Sequence, residues 1–137
     1  MPYSVFVGHG WHDRWIAKQM AANIRNDTGA EVFIDIFDIK SGDRIEERVH
    51  AGITESTELV SLLTPWSIDR NWVWSEIAGA WTLKKRYVGV LYGLTLDEID
   101  RQHGGLAMLS ATSLIELNDF DIYLRELRSR VEGVRNV

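Results

Sequence analysis

Short apolar runs alternate along this chain with longer segments whose apolar residues recur at helical period, and nothing else in the sequence narrows the fold as much. The runs Val5–Val7, Val32–Asp35, Leu59–Leu63, Tyr87–Leu91 and Ser113–Leu117 read as strands. After Gly8-His9-Gly10 a helix is expected with Ile16, Met20 and Ile24 as its buried stripe, Ala17 and Ala21 beside it, and an end near Thr28-Gly29. A second helix opens on a capping-box-like pair, Asp43 and Glu46, and buries Ile45, Val49 and Ile53. A third, over Asn71–Trp81, has Val73, Ile77, Ala80 and Trp81 as its core stripe. Thr95 and Glu98 form another capping box, for a short helix ending near His103-Gly104-Gly105, and a last helix uses Leu124, Leu127 and Val131.

Strands that alternate with helices build a parallel sheet covered by helices on both faces, so the fold class is α/β. Five parallel strands joined by right-handed crossovers most simply adopt the flavodoxin-like order 2-1-3-4-5, a three-layer arrangement whose topological switch falls between strands one and three. The loops Gly8–Trp11 and Thr64–Ser67 then face each other. They bring His9, Trp66, Trp72 and Glu76 to one crevice, with the loop Ile36–Gly42 near enough to form a lid.

Composition limits what such a crevice can do. At 137 residues and 45% hydrophobic content the chain has the size of a single domain, expected over 1–137. The net charge is −5 and no Lys/Arg cluster stands out, so a phosphate-backbone footprint is lacking and nucleic acid is an unexpected partner. Without cysteine there is no disulfide framework, thiolate nucleophile or Cys-based metal site. His12, His50 and His103 are scattered, with no metal-ligand spacing, so no metal is expected. The N-terminal Met1-Pro2-Tyr3-Ser4 lacks a basic signal-like region and no apolar stretch approaches membrane-spanning length, which points to a cytoplasmic protein that neither enters nor crosses a membrane.

Three segments in this order carry a family likeness: Phe6-Val7-Gly8-His9 through Asp13, the loop Phe37-Asp38-Ile39-Lys40-Ser41-Gly42-Asp43, and Trp72-Val73-Trp74-Ser75-Glu76. Over nearly its whole length the chain resembles the Toll/interleukin-1 receptor (TIR) domains, most closely the bacterial ones of anti-phage defence. The resemblance implies that Glu76 is the catalytic residue of an NAD-cleaving enzyme. It also implies that the loop at 36–43, the family's BB loop, mediates self-association and completes a neighbour's site. NAD+ is then the substrate, and no other cofactor is needed. One departure matters: many members carry a serine directly after the first strand, where this chain has Gly8.

The implied chemistry suits a site with one good acid. Nicotinamide is already cationic at its ring nitrogen in NAD and leaves neutral, so the general acid of ordinary glycosidases is unnecessary. An ionised carboxylate can stabilise or trap the oxocarbenium ion that develops at the ribose. For that purpose Glu76 is expected near a rim or hydrogen-bonded, and not sealed in apolar surroundings. Trp66, Trp72 and Phe37 offer flat faces for the bases, Asp38 accompanies Phe37 in the loop, and Gly8, His9 and Gly10 form a turn that lets ribose or phosphate approach the backbone.

Each residue has a plainer reading as well. A helical glutamate is usually a solvated surface residue, and His9 suits a structural hydrogen bond at a strand end as well as a ligand contact. Trp15 and Trp81 read as structural, Asp35 as either a ribose ligand or a turn acid, and the Phe37 loop as a packing surface for another copy. Two other functions remain open. A non-catalytic TIR adaptor would act through TIR–TIR contacts, with a separate sensor or effector protein as partner, and a nucleoside or nucleotide N-glycosidase of similar fold would act on a different base.

Overall fold

A computed structural model describes residues 2–34, 45–69, 71–103 and 114–135; the side chains of 45–49, 71–75, 100–103 and 135 lie outside that description. Five strands, β1 (Ser4–Gly8), β2 (Glu31–Ile34), β3 (Glu58–Leu63), β4 (Arg86–Leu91) and β5 (Leu114–Glu116), pair in parallel in the order β2-β1-β3-β4-β5. This is the flavodoxin-like order expected from the sequence. The helices are α1 (Arg14–Thr28), α2 (Ile45–Glu55), α3 (Asn71–Thr82), α4 (Leu96–His103) and α5 (Phe120–Arg135).

The hydrophobic pattern explains why β3 is central: every residue of Glu58–Leu63 is buried, as a strand covered on both faces requires. Alternation then sorts its side chains. Val60 and Leu62 join Val5, Val7 and Val90 under α1 and α5, where Met20, Ile24, Leu124, Leu127 and Val131 pack. Leu59 joins Phe6, Ile53 and Ala80 on the opposite face, and Leu63 joins Ile77, Leu91 and Ile99 there, so α2, α3 and α4 cover that side. Burying one leucine-sized side chain stabilises by about 1.5–3 kcal/mol, so these two cores supply most of what holds the layers together.

Local signals decide where the helices begin and end. In the Thr95 capping box the Glu98 backbone N–H donates to the Thr95 hydroxyl at 3.2 Å, and that hydroxyl lies 3.1 Å from the Glu98 carboxylate. Helix α1 stops at Thr28, and the Gly29 N–H returns to the Arg25 carbonyl at 3.0 Å.

The structure corrects several expectations. Trp15 and Trp81 are not core residues, for they are 69% and 62% exposed, and α3 buries Ile77 and Ala80 instead. The fifth strand is Leu114–Glu116, because Leu117 already starts a 3-10 turn. The capping pair Asp43–Glu46 and the packing of Ile45, Val49 and Val73 lie outside the described residues, as does Asp35.

A buried ion network, not anticipated from sequence, ties the lower end of the sheet. Glu58, the first residue of β3, accepts hydrogen bonds from the Tyr3 hydroxyl, from Tyr123 at 2.6 Å, and from Arg130 through two guanidinium nitrogens at 3.0 and 3.1 Å. With both oxygens engaged, a fully buried carboxylate can be tolerated.

Candidate active site

The crevice residues stand where the chain leaves the strands. After β1 come His9 and Gly10, then a 3-10 turn over Trp11–Asp13; after β3 come Thr64, Pro65, Trp66 and Ser67. Two contacts clamp these loops together across the switch point. The Thr64 hydroxyl donates to buried Asp13 at 2.5 Å, and the rings of His12 and Trp66 stack with centroids 4.2 Å apart and planes 19° from parallel. Ser67 secures the second loop: its hydroxyl accepts from the Thr64 N–H at 3.0 Å and donates to the Leu62 carbonyl at 3.2 Å. The expectation that the two loops face each other therefore holds.

Glu76 comes from the first half of α3, which lies over the sheet face of α2 and α4, and its residue is fully buried. Of the two placements expected, near a rim or hydrogen-bonded, burial removes the first. The reason lies at the end of β1. A Cβ placed on Gly8 would fall 2.7 Å from Glu76 Oε1 and 2.9 Å from its Cδ, and closer still to Oε2. The absent side chain is thus the space the carboxylate occupies, and a serine at this position would collide with it.

His9 is buried too, with Nδ1 2.8 Å from the Gly10 carbonyl. Burial holds its imidazole below the ordinary value of 6.5, while the Gly10 carbonyl and the Asp13 charge pull the other way. His9 is therefore neutral at physiological pH. Trp66 is 52% exposed and Trp11 63%, with the Arg14 guanidinium 4.1 Å above the Trp11 ring, so the mouth of the crevice is aromatic. Trp72 lies on α3 with its side chain outside the described residues, and Phe37 and Asp38 lie outside them entirely.

Sequence reading missed two hydroxyls. Ser61, in the middle of β3, and the Tyr87 hydroxyl of β4 are both buried on the sheet face that carries Glu76. Burial pushes the Tyr87 phenol far up; the Ser61 hydroxyl lowers it somewhat, and the Glu76 charge raises it. A polar residue within an otherwise apolar central strand was the available signal. What it faces depends on register, which the sequence does not display.

A separate cavity of about 590 Å3 lies at the other end of the sheet, lined by Trp81, Lys84, Lys85, Arg86, Ile122 and Arg130 among others, and takes in none of the crevice loops. Among the described residues no group of three His, Asp or Glu side chains could hold a metal ion, and no helix is long and apolar enough to cross a membrane.

A flavodoxin-like domain with the Glu76 carboxylate seated against the end of β1 belongs to a fold class whose ligands lie at the topological switch point. Within it, the sequence pattern of the TIR domain matches residues 5–127, and the chain belongs to the TIR-domain family. It is similar to the NAD(+) hydrolase PdTIR of Paracoccus denitrificans (strain Pd 1222), 24% identical over 102 residues, covering 72% of this chain and 34% of that protein. It is also similar to the 2' cyclic ADP-D-ribose synthase BtTIR of Bacteroides thetaiotaomicron, 26% identical over 132 residues, covering 91% of this chain and 46% of that protein. The chain thus spans less than half the length of these curated relatives. Among solved structures it resembles the TIR domain of the Toll-related receptor TRR-2 of Hydra magnipapillata, with a TM-score of 0.69, 17% identity and coverage of 97% of this chain and 98% of that one. A looser likeness, TM-score 0.54 at 17% identity over 90% of this chain and 97% of the other, joins it to the Clostridium botulinum CMP N-glycosidase BcmB. At such identities both likenesses show the fold alone.

Proposed function

We propose that the chain is an NAD+ nucleosidase that cleaves the bond between nicotinamide and ribose, with Glu76 as the carboxylate that meets the ribose cation. The observation that carries this reading is the seating of Glu76 against Gly8 at the β1 end, beside the loop that follows β3. The printed activities of the two bacterial relatives, NAD(+) hydrolase and 2' cyclic ADP-D-ribose synthase, support the same substrate. Nicotinamide needs no proton to depart, so one anion that lowers the energy of the oxocarbenium ion is sufficient chemistry. Because Glu76 is buried, the reaction requires its carboxylate to come within reach of the ribose. The loop at 36–43 and a neighbouring copy are the elements this reading assigns to that step. Trp66, Trp72 and Phe37 would stack the bases, and Gly8, His9, Gly10 and Asp38 would line the ribose and phosphate path.

The product is nicotinamide together with linear, cyclic or conjugated ADP-ribose, according to which nucleophile reaches the ribose. In the cell this reading places the protein in the cytoplasm as a bacterial immune effector, switched on by self-assembly or by a separate sensor. The test is to incubate the purified chain with NAD+, and in parallel with CMP and other nucleotides, with and without a molecular crowder, and to separate the products by chromatography. Nicotinamide release from NAD+ is expected. Base release from CMP alone would assign the nucleotide N-glycosidase activity instead, and intact substrates throughout, with retained TIR–TIR binding, would assign a non-catalytic adaptor.

A further inference from the structure

NAD+ carries a diphosphate, and none of the groups assigned to it above carries a positive charge. Gly8, Gly10, Trp66, Trp72 and Phe37 are uncharged, Asp38 is an anion, and His9 is neutral at physiological pH. The net charge of the chain is −5, so its overall field repels such a ligand. Binding therefore needs a cation placed locally. In the loops that flank the switch point, residues 8–14 and 64–67, Arg14 is the one arginine or lysine.

Arg14 opens α1 directly after the turn Trp11–Asp13. Its guanidinium is held in two ways: Nη1 donates to the Trp11 carbonyl at 2.8 Å, and the guanidinium carbon stands 4.1 Å from the centroid of the Trp11 ring. The residue is exposed, and it forms no ion pair among the described residues. The neighbouring acid is engaged elsewhere, since Asp13 is buried and accepts from the Thr64 hydroxyl at 2.5 Å. A surface arginine ordinarily loses side-chain freedom when it grips a ligand. Here a hydrogen bond and a cation–π contact have already restricted it, which lowers that cost. The guanidinium N–H groups not used on Trp11 present the planar fork that pairs with two phosphate oxygens at once.

We propose that Arg14 is the cation that takes the diphosphate of the substrate, and so the residue that selects a dinucleotide over an unphosphorylated nicotinamide riboside. The inference rests on the NAD+ reading above and adds to it the missing counter-charge. A diphosphate remote from the breaking bond keeps the same charge in the ground state and the transition state. Its partner therefore contributes uniform binding, which lowers KM and leaves kcat alone.

The experiment measures nicotinamide release by wild type and Arg14→Gln, under assembling conditions, from NAD+ and from nicotinamide riboside, the latter also as a competitive inhibitor of NAD+ cleavage. Arg14→Gln is expected to raise KM for NAD+ about 10- to 100-fold, the loss of a charge-assisted contact, with kcat within about 2-fold. The KM or inhibition constant of nicotinamide riboside, which has the same scissile bond and no phosphate, should stay within about 2-fold. An unchanged KM for NAD+, or an equal rise for both compounds, would overturn the proposal. Arg14 lies on the surface, so its replacement leaves both hydrophobic cores intact. If wild type cleaves neither compound, the nucleosidase reading fails by itself, and calorimetric titration with ADP-ribose, which keeps the diphosphate, decides the role of Arg14. Weaker binding by Arg14→Gln than by wild type upholds it; equal affinity, or no binding by wild type, refutes it.

Discussion

Gly8 is the smallest residue of the candidate site and leaves the space that the Glu76 carboxylate occupies. A methyl group there meets the Glu76 carboxylate below any ordinary contact distance, so Gly8→Ala must either shift the carboxylate or move β1 away from α3. We expect a destabilisation of about 1–3 kcal/mol, the usual cost of overpacking, and a larger proportional loss of activity, both measurable by urea unfolding and initial rates. His9 gives a pH signature. Its folded-state pKa is depressed, so the unfolded chain takes up the proton first as pH falls; stability is then intact above 6.5 and declines below it. Unfolding free energies measured at pH 7.5 and 5.5 should show that decline in wild type and a smaller one in His9→Asn. Equal declines would show that His9 is not the titrating group.

At the scale of elements, the two ends of the sheet do different work. The lower end is fastened by Glu58, held by Tyr3, Tyr123 and Arg130. Removing the cation with Arg130→Met leaves a buried carboxylate with its tyrosines alone, and we expect a loss of about 3–5 kcal/mol by denaturant unfolding. Tyr3 adds an alkaline limit: its hydroxyl is pushed up to about 12, first by burial and then by Glu58, from an ordinary 10.0. The raised value keeps its contribution whole below pH 10, and it is lost as pH climbs towards 12. Among the described residues the upper end is fastened by the Asp13–Thr64 hydrogen bond, the His12–Trp66 stack and the Ser67 hydroxyl. The frame that carries both ends was legible beforehand, and the Glu58 network was not. The strands follow from apolar periodicity and the short turns, because those signals are local, and their order follows from the right-handed crossover rule. The exposed Trp15 and Trp81 were misjudged because an aromatic at helical spacing reads as core whether or not a neighbouring layer reaches it. The row of Gly8, Ser61 and Gly89 was invisible because it exists only once three strands are in register.

At the scale of the whole molecule, membership of the TIR-domain family meets a carboxylate seated against the end of β1. If assembly completes the site, activity per molecule should rise with protein concentration and with crowding; a specific activity constant across a 100-fold dilution series, an interval of about 2.7 kcal/mol in chemical potential, would remove the assembly step. The most direct measurement is the initial rate of nicotinamide release from NAD+ by wild type and by Glu76→Gln, at equal concentration under assembling conditions, with folding of both verified by circular dichroism. A folded variant slowed by about 100- to 1000-fold is expected, the loss that follows when the principal electrostatic stabiliser of a transition state is neutralised. A folded Glu76→Gln that releases nicotinamide at the wild-type rate would contradict it.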